Sequence, residues 1–129
     1  MPAGGPGGQL RHVLIVERDV IVGMGLADDL TELGFRVSGP FISGQDAIDV
    51  MAADLPDAVI VDLALRDGSG PEVARAAKGR DIPLVLFSAG GRRALVDGEF
   101  RDVPWVEKPA STVRLLQALA LSDDPAGLR

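Results

Sequence analysis

A chain of 129 residues is long enough for one hydrophobic core, and 47% hydrophobic with 25% charged residues is the balance of a globular domain, not a disordered one. Nineteen acids against 13 bases leave a net charge of −6, which disfavours nucleic acid and anionic membrane as direct partners, because a phosphate-binding surface needs a basic patch. There is no cysteine, which excludes disulfides and thiolate zinc sites, and no apolar run approaches the length of a membrane span.

The N-terminal "MPAGGPGGQLR" has neither the basic start nor the apolar centre of a signal peptide, so a cytoplasmic protein is expected. Residues 1–11 are Gly/Pro-rich and are expected to be a flexible tail. From His12 onward, short apolar runs alternate with helix-like stretches. The runs "HVLIVE", "FRVSG", "DAVIVDL", "IPLVLFS" and "VPWVE" predict five strands, and their starts recur roughly every 22 to 25 residues, the length of a strand, a helix and two loops.

Between the first two strands, Val22, Leu26, Leu30 and Leu33 follow helical spacing, with Gly34 placed to cap the end. Ser43 with Asp46 has the spacing of a capping box ahead of Ala47, Ile48, Val50 and Met51. Ser69 with Glu72 repeats that spacing ahead of Val73, Ala74 and Ala77, and Pro71 is tolerated in a first turn. "GGRRALVDGEFRD" is rich in glycine and poor in apolar residues, so a fourth helix there is expected to be weak. Ser111 opens the last helix, with Val113, Leu116 and Leu119 as its core-facing stripe. Residues 12–121 form the predicted domain, and 122–129 a C-terminal tail.

Continuous apolar strands such as "VLIV" and "AVIV" point to a parallel sheet covered by helices on both faces, and right-handed crossovers make it a doubly wound α/β sandwich. In such folds chemistry sits at the carboxyl ends of the strands. Those ends carry Glu17, Arg18 and Asp19, then Asp62, then Ser88, then Lys108 ahead of Pro109. If the first and third strands are neighbours, the acids converge on Asp62, with Lys108 and Ser88 beside it. A carboxylate cluster with one lysine and one hydroxyl suits a nucleophilic aspartate that accepts a phosphoryl group. Neighbouring acids could hold Mg²⁺, and the Lys ammonium and Ser hydroxyl could meet the phosphoryl oxygens.

These motifs together, the acid ending "VLIVE", "VIVDLALRDGSG", "LVLFSA" and "WVEKPA", resemble a response regulator receiver domain (CheY-like). The resemblance implies a flavodoxin-like five-stranded parallel sheet in the order 2-1-3-4-5. It implies Asp62 as phosphoacceptor, Lys108 and Ser88 as its catalytic companions, and Ser88 and Trp105 as switch residues. It also implies Mg²⁺ held by Glu17, Asp62 and the backbone carbonyl of Ala64, and a cis bond before Pro109. The expected donor is a histidine kinase or histidine phosphotransfer protein, and the chain would be a phosphoacceptor with at most self-catalysed transfer and dephosphorylation, not a conventional enzyme. "IPLVLFSAGG" and "LADDLTELGFRVSGP" add a resemblance to receivers partnered by HWE-type histidine kinases. Only "SDDPAGLR" follows Leu121, so output is expected through a partner protein or as a phosphate sink.

One position departs from the family pattern: receivers present two adjacent acids after the first strand, whereas here Glu17 is followed by Arg18. Three readings follow. Arg18 turns away while Asp19 supplies a carboxylate; or its guanidinium pairs with Glu17 and Asp62 in place of the metal's charge; or the domain is a phosphorylation-independent interaction module. A flavodoxin-like nucleotide binder is a further class, but no glycine-rich phosphate loop follows any strand.

Overall fold

A computed structural model describes residues 11–89 and 98–120. Strands β1 (His12–Val16), β2 (Arg36–Phe41), β3 (Ala58–Val61), β4 (Leu84–Ser88) and β5 (Trp105–Glu107) form one parallel sheet in the order β2-β1-β3-β4-β5. Helices α1 (Val20–Glu32), α2 (Gly44–Ala53), α3 (Gly70–Gly79) and α4 (Thr112–Ala118) cover it, and a 3₁₀ turn spans Gly98–Phe100. The expected tails fall outside the described residues except for Arg11, whose carbonyl accepts from the Arg36 amide at 2.9 Å and so belongs to the sheet and not to a flexible tail; most of the expected weak fourth helix also falls outside them. No helix among the described residues is long and apolar enough to cross a membrane.

The pleat of β1 divides the core. Leu14 and Val16 face one layer with Val59, Val61 and Leu86, packed by Met51 of α2 and Val73 and Ala77 of α3. Val13 and Ile15 face the other with Ile60, Val85 and Phe87, packed by Leu26 and Leu30 of α1 and Leu115 and Leu116 of α4. Successive side chains of a strand point to opposite faces, so a run that is apolar throughout is one buried on both.

Several local expectations are corrected. Val22 and Val113 are 37% and 48% exposed, because the buried faces of α1 and α4 run through Gly23, Leu26 and Leu30, and through Leu115, Leu116 and Leu119. Neither expected capping box forms: Ser43 and Ser69 stand at the N-caps of α2 and α3 without a side-chain bond to their own helices. Instead the Ser69 hydroxyl accepts from the Gly44 amide at 2.8 Å and donates to Asp67 Oδ1, bracing α2 against the loop after β3. Gly44 is tied to that brace, since a Cβ there would lie 2.3 Å from Ser69 Oγ.

Strand β2 does not end at Gly39. One extra residue is inserted between Ser38, opposite Leu14, and Phe41, opposite Val16. The bulge is made by Gly39 at φ 104° and a cis Gly39–Pro40 bond, and Pro40 lies against Gly23, where a Cβ would come within 2.6 Å of it. The Glu17 amide then donates to the Phe41 carbonyl at 2.9 Å.

On the other side of the sheet, Arg75 of α3 grips Glu99 through Nε and Nη2, while Lys78 donates to the Glu99 carbonyl at 2.7 Å. Both cations sit 5.9 Å from the centroid of the buried Phe100 ring.

At the opposite edge of the sheet from the strand ends, His12 is buried; its amide donates to Asp57 Oδ2 at 2.7 Å and its Nε2 lies 2.6 Å from Ser38 Oγ. Burial, helped by the nearby Arg36 charge, holds the imidazole below its ordinary value of 6.5, with Asp54 and Asp57 opposing. The unfolded chain therefore binds this proton more readily than the folded one, so the contribution is fully present above the unfolded value and is lost as pH falls through the folded one. Urea unfolding should show stability dropping as pH falls below about 6.5, and His12→Gln should flatten that slope. An unchanged slope in the variant would assign it to other groups.

Candidate functional site

The ladders continue one residue past the strands and so set the site. Val16 pairs with Val61, and the Asp62 amide donates to the Val16 carbonyl at 2.9 Å, which places Glu17 and Asp62 side by side. Ser88 pairs with Glu107, and the Lys108 amide donates to the Ser88 carbonyl at 2.9 Å. Four strand ends thus deliver Glu17, Asp62, Ser88 and Lys108 to one edge. The sequence expected this gathering.

Lys108 is the hub. Its Nζ donates to Glu17 Oε2 at 2.7 Å and to Asp62 Oδ2 at 3.0 Å, and lies 5.3 Å from the Phe87 ring centroid. Both carboxylate side chains are 2% exposed and the lysine 15%. Asp62 Oδ1 accepts from the Ala64 amide at 2.8 Å, and Glu17 Oε2 also accepts from the Asp19 amide at 2.8 Å. Glu17 Oε1 is buried with no hydrogen-bond partner among the described residues. Two carboxylates around one ammonium leave one buried negative charge uncompensated, in surroundings where such a charge is costly.

The remaining expected residues take distinct places. Ser88 is buried at the end of β4. Trp105 is half-buried on β5 opposite Leu86, packs against the α2–α3 layer and keeps its indole N–H buried without a partner among the described residues. Ala64 is exposed, and the Lys108–Pro109 bond is cis.

Arg18 does not pair with Glu17 and Asp62. It is exposed, and the ammonium of Lys108 holds both carboxylates instead. β1 ends at Val16, and Arg18 stands in the bend beyond it, where the chain leaves the covered sheet. Asp19, weighed as a substitute ligand, caps α1: its Oδ1 accepts from the amides of Ile21 at 2.9 Å and Val22 at 3.2 Å. That role was missed, although an acid immediately before a helical run is itself an N-cap signal.

The oxygen donors of the site fit a hard cation on a minimal set. Mg²⁺ needs only one or two carboxylates with water completing its shell, and the orphaned Glu17 Oε1 is an acceptor that a cation would satisfy. The set is short of acids: among the described residues, no three His, Cys, Asp or Glu side chains gather as a metal site.

No family model matches the chain. The chain is 34% identical over 117 residues to the transcriptional regulatory protein PdtaR of Mycobacterium tuberculosis, covering 87% of this chain but only 56% of that protein. Among solved structures it is similar to the CheY-like response regulator receiver domain from Methylobacillus flagellatus, with a TM-score of 0.68 and 27% identity over 86% of this chain and 99% of that one. The solution structure of SdrG from Sphingomonas melonis Fr1 has a TM-score of 0.69 and 32% identity, over 87% of this chain and 98% of that one. The chain belongs to the response regulator receiver family, the CheY-like domains of two-component signalling. Receivers of this kind generally bind Mg²⁺ and interact with histidine kinases or phosphotransfer proteins.

The charge count predicts unequal effects at two neighbouring positions. Lys108→Met strands two buried carboxylates and should cost about 3 kcal/mol, the low end for removing one partner of a buried pair because the lysine is partly exposed. Asp62→Asn removes the excess negative charge but loses one accepted hydrogen bond, since only one of its two side-chain atoms can still accept, so it should cost clearly less than Lys108→Met, about 1 kcal/mol or under. Chemical denaturation at neutral pH measures both. Destabilisation by Asp62→Asn comparable to that by Lys108→Met would refute the charge count.

Proposed function

We propose that this chain is the receiver of a phosphorelay. It takes a phosphoryl group from a histidine kinase or histidine phosphotransfer protein onto Asp62 and passes the change to a partner protein or holds it as a sink. The observation that carries this reading is the Asp62 carboxylate, buried at a strand end and hydrogen-bonded to the Lys108 ammonium. Residues 12–121 are the unit to which the proposal applies.

Each neighbour has a role on this reading. Asp62 attacks phosphorus through a carboxylate oxygen, and the bond from phosphorus to the donor breaks. Lys108, already placed between the acids, meets the negative charge of the transferred oxygens, and the Ser88 hydroxyl donates to one of them. Burial excludes water from the bonded carboxylate. Mg²⁺ would be held by Glu17, Asp62 and the Ala64 carbonyl, and when bound it neutralises charge on the phosphoryl group. Trp105, on the strand that runs into Lys108, is the residue proposed to report the new charge to the surface. The two segments that resemble receivers of HWE-type kinases make such kinases the first donors to try.

A rival reading is a receiver that signals by binding alone, and its support is Arg18, exposed where the family places a second acid. The two readings separate on labelling. With Mg²⁺ and acetyl phosphate, mass spectrometry should find a phosphoryl adduct that disappears in Asp62→Asn. No adduct, with acetyl phosphate or with candidate kinases, would favour the rival.

The one-acid deficit has its own consequence. Arg18→Asp should tighten Mg²⁺ binding about tenfold, worth ~1.4 kcal/mol. The sole tryptophan, Trp105, supplies the fluorescence signal for that titration. Unchanged affinity would mean that Arg18 does not limit the metal site.

A further inference from the structure

The Glu17 side chain does not rest on the strand ends alone. Its stem runs beside Gly23, a buried residue of α1: a Cβ on Gly23 would stand 3.4 Å from Glu17 Cγ. The same Cβ would stand 2.6 Å from Pro40 Cβ and 2.9 Å from Pro40 Cγ, well inside the separation at which carbon atoms pack. Three elements therefore close on this one position: the helix, the bulge of β2 and the acid that ends β1. Glycine disfavours a helix interior, so its presence here is explained by the space it leaves and not by helix propensity.

The bulge fixes the backbone of the same acid. One extra residue between Ser38 and Phe41 carries the Phe41 carbonyl to the Glu17 amide at 2.9 Å, and Pro40, just before Phe41, is the residue pressed on Gly23. The head of Glu17 is shared between Lys108 Nζ at 2.7 Å and the Asp19 amide at 2.8 Å, and its Oε1 has no partner among the described residues. At 1% exposure, Glu17 cannot absorb a displacement of its stem by swinging into solvent. A shift at the Gly23–Pro40 contact is thus passed along the stem to the carboxylate.

We propose that Gly23 and Pro40 are positioning residues for Glu17: their contact sets how far its carboxylate reaches toward Lys108 and toward a divalent cation. Both act through Glu17 and not on a phosphoryl group. The part that concerns a cation rests on the phosphotransfer reading, whereas the part that concerns Lys108 stands without it.

The test is a double-mutant cycle on the full chain. Gly23→Ala drives a methyl group against Pro40 and the Glu17 stem, Pro40→Gly removes the ring and leaves a gap, and the two together exchange one volume for the other. The first readout needs no metal: the ¹³Cε resonance of Lys108, which senses the Glu17 carboxylate and comes from a different strand. Each single substitution should displace it, and the double substitution should bring it back toward its original position. The second readout is Mg²⁺ affinity, followed by Trp105 fluorescence. It should fall about tenfold in Gly23→Ala and about threefold in Pro40→Gly, and lie within about threefold of the unsubstituted chain in the double variant. Should Gly23→Ala fail to fold, Pro40→Gly alone must still move both readouts. Leu30→Val, in the buried face of α1, controls for lost stability: it should lower the urea midpoint and leave both readouts in place. The proposal is overturned if the single substitutions leave Lys108 unmoved, if their effects simply add, or if Leu30→Val moves the readouts as far. Absence of Mg²⁺ binding in the unsubstituted chain overturns the cation part alone, and labelling of Asp62 is read separately, so the two failures are distinguishable.

Discussion

The Lys108 ammonium, shared between two buried carboxylates, is the contact around which the rest of this domain is arranged. One cation cannot neutralise both Glu17 and Asp62, so the site is held in a poised electrostatic state. The surrounding layers do not relieve it. Ala64 and Asp19 lend backbone amides, Phe87 lends an aromatic face, and Glu17 Oε1 still has no partner among the described residues. A group that brings positive charge, or that moves Lys108, changes the balance immediately. This is a physical basis on which a receiver can sense a small addition at one residue.

The sheet makes that arrangement possible by ordinary means. Parallel register brings Val16 beside Val61, and Leu86 lies opposite both Val61 and Trp105, so residues far apart in sequence arrive at one edge with no dedicated scaffold. Glu17 and Lys108 are 91 positions apart and meet at 2.7 Å. Their supporting hydrogen bonds are backbone bonds that continue the ladders, which ties the geometry of the site to the stability of the core.

Much of this was legible because it depends on periodicity. The alternation of apolar runs and helical stretches placed all five strands, and residue types at the strand ends picked out Asp62, Ser88 and Lys108 before any contact was known. What was not legible depends on partners distant in the chain. Ser43 and Ser69 have the spacing of capping residues, but the Ser69 hydroxyl is drawn to Gly44, 25 positions away. The continuation of β2 beyond Gly39 depends on a bulge packed against Gly23 of α1. The place of Arg18 stayed open between solvent and a carboxylate partner, because neither the bend that follows β1 nor the hold of Lys108 on both carboxylates is written in local sequence. Local rules fail in these places because tertiary contacts outweigh them.

The grip of Arg75 and Lys78 on the Gly98–Phe100 turn gives the α3 side of the sheet a particular character. Its ionic part is exposed, with Arg75 and Glu99 side chains 53% and 50% accessible, so water and salt can replace it at little cost. Its aromatic part is not replaceable in that way, because Phe100 is buried beneath the cations. The turn is therefore anchored chiefly by its buried ring, with the ionic contacts a weaker, exposed addition. Salt weakens the ionic contacts and leaves the buried ring in place.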